Sequence, residues 1–406
     1  MKIKITSTRF IALSLSVFAL ASCNKQEDAK LNNIMPYRGE TSQAELLTLS
    51  SVNSAMTLED KVNGVDYIFA NTVEVNANIT IKPGVTIMFE DGAGLIVKEE
   101  GSITAIGQKS NEILFTSKSG KRGAWKGITF LSNTSKNVLE YCIVEHGGGA
   151  SSFGASNIVV GSGSNTGQVS ISNTEIRASK NNGIILSKGS QLNSFTGNKI
   201  HTNSAHPISM NVADVSLLSS QNTYNNNGRE FIQLTANDLV SSAVTLNSIG
   251  EPYLISGQIT TSNSFTIAAG THLSMDEGAE LVIDGGDSNG SFTAIGTANS
   301  PIIISGIYNQ TGVWNSIQFK SSNSANNRIE YCTISGGGNG SLASQQGMIT
   351  VVNANGQTSA INIRNSSINN SSTIGVYIKA QNTIYNSDII SANTFNGNAK
   401  GNVQID

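Results

Sequence analysis

The sequence predicts an all-β solenoid made of two tandem copies, and three observations carry that expectation. The first is composition: Gly fills 40 of 406 positions and Pro 5, aromatics are 6%, and charged residues only 13%, against roughly 25% in an ordinary soluble domain. With 38% apolar residues, this is the chemistry of many short strands joined by tight turns. It is not that of a helical bundle, a membrane-spanning bundle or a disordered chain. The second is an internal duplication of about 190 residues, and the third a shorter rhythm inside each copy. A formal net charge of −3 offers no basic surface to a phosphate backbone, so nucleic acid is not an expected partner.

In chain order, Lys2, Lys4 and Arg9 give a positive start, and Phe10 to Ala21 is an apolar stretch of 12 residues. That is short of the roughly 20 needed to span a bilayer, and it reads as an export signal. It ends in Leu20-Ala21-Ser22-Cys23, which resembles the lipobox of bacterial lipoproteins. The resemblance implies cleavage of residues 1–22 and acylation of Cys23, and several acyl chains anchor stably where one is marginal. The bilayer is then an expected partner, and the net charge moves from −3 to −6 because three positive charges leave. Asn24-Lys25-Gln26-Glu27-Asp28 follows and is similar to the acidic signal that sends Bacteroidetes-type lipoproteins to the outer face of the outer membrane. Residues 23–48 are otherwise polar without a sustained period, and are expected to be a flexible tether.

Copy one is expected over 49–235 and copy two over 236–406. Ile79-Thr-Ile81-Lys-Pro-Gly84, Gly92-Ala-Gly94-Leu95-Ile-Val97 and Ile103-Thr-Ala-Ile-Gly107 return as Phe265-Thr-Ile267-Ala-Ala-Gly270, Gly278-Ala-Glu-Leu281-Val-Ile283 and Phe292-Thr-Ala-Ile-Gly296. Trp125-Lys-Gly-Ile128 matches Trp314-Asn-Ser-Ile317, and Leu139-Glu-Tyr-Cys142 matches Ile329-Glu-Tyr-Cys332, each followed by three glycines. Cys142 and Cys332 stand at equivalent places about 190 residues apart, so two buried free thiols are expected in preference to a disulfide.

Within copy one, Val144, Ile176, Ile200 and the Asn222–Tyr224 segment are spaced by 32, 24 and 24 residues. A coil of three- to five-residue strands that buries an apolar position per strand and stacks the next coil on it satisfies this rhythm. A sandwich or propeller does not. The pattern resembles the right-handed parallel β-helix of the pectate-lyase-like superfamily, with seven or eight coils per copy. Asn-x-x-Ile segments such as Asn173–Ile176 are expected at turns, their amides stacking as a ladder. One long helix and two lobes are both compatible with the sequence.

Candidate chemistry comes from comparing the copies, since a fold-maintaining residue tends to appear in both. Trp125 and Trp314 appear in both: they could stack on sugar rings, but their duplication favours packing. Copy one alone has Lys121 and Arg122, where copy two has Gln310 and Thr311, and Glu145 and His146, where copy two has Ser335 and Gly336. Arg122 and His146 are 24 residues apart, close to one coil. As neighbours they could neutralise a uronate and abstract its C5 proton, the work of a polysaccharide lyase. Copy two alone has an oxygen-rich loop, Asp284-Gly-Gly-Asp287-Ser-Asn289, which could hold Ca²⁺ but lacks a bidentate Glu. Glu90-Asp91 and Asp276-Glu277 alternate faces if extended, which is poor geometry for a glycosidase pair. The Asp clusters and Gly-His-Gly set of the superfamily's enzymes are absent, so the resemblance carries over fold and no catalytic residue. Expected, then, is a lipid-anchored surface protein whose β-helix binds or scaffolds a polysaccharide or a surface partner. The alternatives are a polysaccharide lyase or glycoside hydrolase, and a structural or adhesive protein.

Overall fold

In a computed structural model, residues 43–61, 64–235, 239–286, 290–339, 346–354 and 356–406 are described. The strands pair in parallel with the strand one coil further on, as in Val144 beside Ile176 and Ile176 beside Ile200. The 32- and 24-residue spacings are therefore whole coils. Five parallel sheets, one of seven strands, one of fourteen and three of six, wrap one core as a right-handed parallel β-helix, the handedness favoured whenever parallel strands are joined by crossovers. Coiling begins within the segment expected as tether, because Glu45–Leu47 already pairs with Tyr67–Phe69.

Each strand places a branched or aromatic side chain inward, stacked on its counterpart one coil away. Ile87, Phe115, Val144, Ile176 and Ile200 form one such column, all fully buried. Burying each contributes about 1.5–3 kcal/mol, and no coil can bury its own edges without neighbours. Phe69, Phe89 and Trp125 stack on successive coils, with centroids 5.4 and 4.1 Å apart.

One sheet of fourteen strands runs through both copies, so the chain forms one continuous helix. Its composition changes at the middle. In copy one this sheet holds the strands Gly94–Val97 and Ile128–Phe130. In copy two it holds His272–Met275 and Ile302–Gly306, whose sequence equivalents, Thr86–Phe89 and Ile113–Ser117, lie in a different, seven-stranded sheet of copy one. The repeat therefore amounts to seven coils plus one strand, and every equivalent strand moves one face round the axis. Near the seam the 3-10 helix Val212–Leu217, capped by Asn211 through a 3.0 Å bond to the Ala213 amide, stands where a strand would otherwise be.

The turns hold amide ladders, shifted by one residue from the expected place. Asn173 takes the left-handed conformation with φ 50°, which Asn tolerates better than most residues. The ladder forms at the next position: Asn198 Oδ1 accepts from the Thr174 amide, and Asn222 Oδ1 from the Asn198 amide, both at 3.0 Å. A second ladder uses Asn203 and Asn227, at 3.0 and 3.1 Å. Each Asn also donates to a strand carbonyl of the preceding coil, satisfying buried backbone groups that the sheets do not reach. Cys142 and Cys332 are buried free thiols, and burial pushes the Cys332 thiol up to about 12.

Candidate functional site

Sheet register gathers the charge of copy one at one strand end. Glu145 pairs with Arg177 and Arg177 with His201 on successive coils, and Thr116 adjoins Phe115, which pairs with Val144. The Glu145 carboxylate is buried. Its Oε1 accepts from Thr116 Oγ1 at 2.8 Å and its Oε2 from Arg177 Nε at 2.7 Å. Arg177 bridges on to Glu175 at 2.5 Å, and Glu175 Oε1 lies 2.8 Å from His201 Nε2. A hydrogen bond with His201, aided by Arg177 and opposed by burial, holds the Glu175 carboxyl at about 2.

Arg122 and His146 are brought close in the chain's coiling but not side chain to side chain. They lie on neighbouring coils, with the Gly123 amide donating to the His146 carbonyl at 3.0 Å. Their side chains do not form an open acid–base pair. Arg122 reaches across the coils to donate to the Ser179 carbonyl at 3.2 Å and to the Thr202 carbonyl. His146, at φ 64°, is only 2% exposed, and its Nδ1 lies 3.1 Å from Thr116 Oγ1. Since the Thr116 hydroxyl proton is given to Glu145, the bond requires Nδ1–H to donate to Thr116. Burial lowers the His146 pKa, with Arg177 and Arg122 acting in the same direction against Glu145. An enclosed imidazole cannot meet a substrate proton, and the buried Glu145 carboxylate is already engaged by Thr116 and Arg177. The lyase arrangement expected from Arg122, Glu145 and His146 is thus an internal ladder, while Lys121 is exposed.

Sequence reading missed Thr116, Glu175, Arg177 and His201. The signal was present: Glu145, Arg177 and His201 each follow one of the column residues Val144, Ile176 and Ile200.

Trp125 and Trp314 are both fully buried, which removes them as sugar-stacking candidates and leaves the packing role. Their Nε1 groups donate to the carbonyls of Glu145 at 2.7 Å and Ser335 at 2.9 Å. The glycine run serves the same packing: a Cβ on Gly337 would meet Trp314 Cε2 at 2.6 Å. Of the proposed Ca²⁺ loop, Asp284 accepts from the Gly286 amide at 3.2 Å, while Asp287 and Asn289 lie outside the described residues, as does Cys23. Among the described residues no group of three or more His, Cys, Asp or Glu is placed to hold a metal, and no helix is long and apolar enough to cross a membrane.

No protein-family model matches the chain, and no curated protein matches it. Among solved structures it is similar to the crystal structure of the Agl-KA catalytic domain at 14% identity, over 87% of this chain and 62% of that one, with a TM-score of 0.25. The chain thus spans less than two thirds of that structure's length, and a likeness so distant carries no argument about activity.

Proposed function

We propose that this protein is a surface lipoprotein, anchored in the outer membrane through acylated Cys23, whose β-helix binds polysaccharide rather than transforming it. The observation that carries the reading is the fate of the copy-one charges: Glu145, Arg177, Arg122 and His146 are engaged with one another or with backbone. What is left for a ligand is mostly amide and hydroxyl surface on a rigid rod. Such groups match the hydroxyls of a glycan. The lipobox-like segment and the acidic residues after it support the address. External protease on intact cells tests that address, and protection until lysis would place the protein on an inner face. Native electrophoresis of the purified protein through gels cast with different polysaccharides tests the binding. Retardation in one gel supports the proposal, free passage through all refutes it, and a cleared zone around the band would establish an enzyme instead.

A further inference from the structure

The copy-two equivalent of the charged ladder is an open pocket. Thr116, Glu145, His146 and Arg177 correspond to Ser305, Ser335, Gly336 and Asn369, and the register is preserved, with Ser305 beside Ser335 and Ser335 beside Asn369. Each replacement is smaller than its counterpart. Beside these positions copy two has a cavity of about 430 Å³, lined by Tyr308, Asn309, Gln310, Ser335, Gly336 and Asn370 among others. That volume falls within the range of about 300–1,000 Å³ typical of small-molecule sites.

The lining has a definite chemistry. Tyr308, 57% exposed, is one of the most exposed large hydrophobic side chains among the described residues. Beside it the side-chain amides of Asn309 and Gln310, and the side-chain amide of Asn370, have no protein hydrogen-bond partner among the described residues. Among the described residues no carboxylate, Lys, Arg or His lines the cavity. Amides and hydroxyls offer paired donors and acceptors, as sugar hydroxyls require, and an exposed phenol ring offers a flat face for the C–H side of a pyranose. A uronate would find no cation there to balance its carboxylate.

We propose that this pocket binds a neutral hexose unit of a polysaccharide, with the Tyr308 ring as stacking platform and Asn309, Gln310 and Asn370 reading hydroxyls. The proposal rests on the glycan-binding reading above and adds its place and its charge class. Titration calorimetry of the full chain with gluco- and manno-oligosaccharides, and with oligogalacturonate as the acidic counterpart, tests it in wild type, Tyr308→Ala, Tyr308→Phe and Gln310→Ala. Tyr308 and its loop project into solvent, so these variants keep the fold, which circular dichroism checks. The expected result is binding of a neutral oligosaccharide, weakened about tenfold or more by Tyr308→Ala and by less than about threefold in Tyr308→Phe. Unchanged neutral-sugar binding in both Tyr308→Ala and Gln310→Ala overturns the pocket while leaving glycan binding intact. Binding of oligogalacturonate alone overturns the neutral class. Binding of no sugar overturns both this proposal and the reading beneath it.

Discussion

Replacing Arg177 with Met removes the only guanidinium among the described residues that is bonded to the Glu145 carboxylate, whose side chain is 3% exposed, while Arg177 itself is 25% exposed. Losing one partner of a buried pair costs about 3–5 kcal/mol, whereas an exposed pair is worth about 0–1 kcal/mol. Thr116 still donates to Glu145, and water can reach the place Arg177 vacates, so the loss should fall at the lower end, about 3 kcal/mol. Replacing both partners, as in Glu145→Gln with Arg177→Met, should cost less than the two single changes together, since no charge is left stranded. Each copy has one Trp, and Trp125 donates to the Glu145 carbonyl. Urea unfolding in a Trp314→Phe background therefore follows the ladder's own surroundings, and the same change in a Trp125→Phe background follows the other copy. A loss under about 1 kcal/mol for Arg177→Met would refute the reasoning, because Glu145 would then be behaving as a hydrated surface carboxylate.

Other outcomes follow from the same physics. Burial, and then Glu230, push the Glu251 carboxyl up to about 7; a raised folded pKa favours the fold at low pH and penalises it as pH rises from about 4.5 through 7. Glu251→Gln should accordingly raise Tm at pH 8 and leave it little changed at pH 4, and an equal gain at both would contradict this. Glu175, held at about 2, has the opposite sign: its stabilisation is present above about 4.5 and lost as pH falls through about 2, so Glu175→Gln should flatten the acid limb of a Tm profile. The two buried thiols should resist alkylation in the native protein and react fully in urea, with fast native labelling of either counting against its burial. Asn203→Ala removes an acceptor for the Ser179 amide and a donor to the Ile176 carbonyl, and should destabilise by about 1–3 kcal/mol in urea titration.

The architecture was legible because a solenoid writes its coil length into the spacing of inward residues. Val144, Ile176 and Ile200 gave the true register, and the equivalence of Cys142 with Cys332 gave the repeat. The site was less legible. Spacing alone placed Arg122 and His146 on adjacent coils but not the directions of their side chains, which depend on a left-handed turn at His146 and on carbonyls two and three coils from Arg122. Arg177 and His201 went unnoticed because a charge following a column residue reads as an ordinary outward strand position until its neighbour's charge is set beside it. The one-residue shift of the Asn ladder has a similar origin: Asn173 and Asn198 look alike in sequence, and backbone torsion alone separates the turn-former from the rung.

The extra strand in the repeat bears on how a polymer could meet both copies. Equivalent points lie about seven coils apart, some 34 Å at the ~4.8 Å spacing of neighbouring strands, and on different sides of the rod. A straight chain lying along one face touches the Ser305 pocket or the Glu145 ladder, not both. A ligand that visited both would have to wind, advancing like a thread on a screw, and duplication has thereby made two independent surfaces out of one, each free to change its chemistry without altering what the other presents.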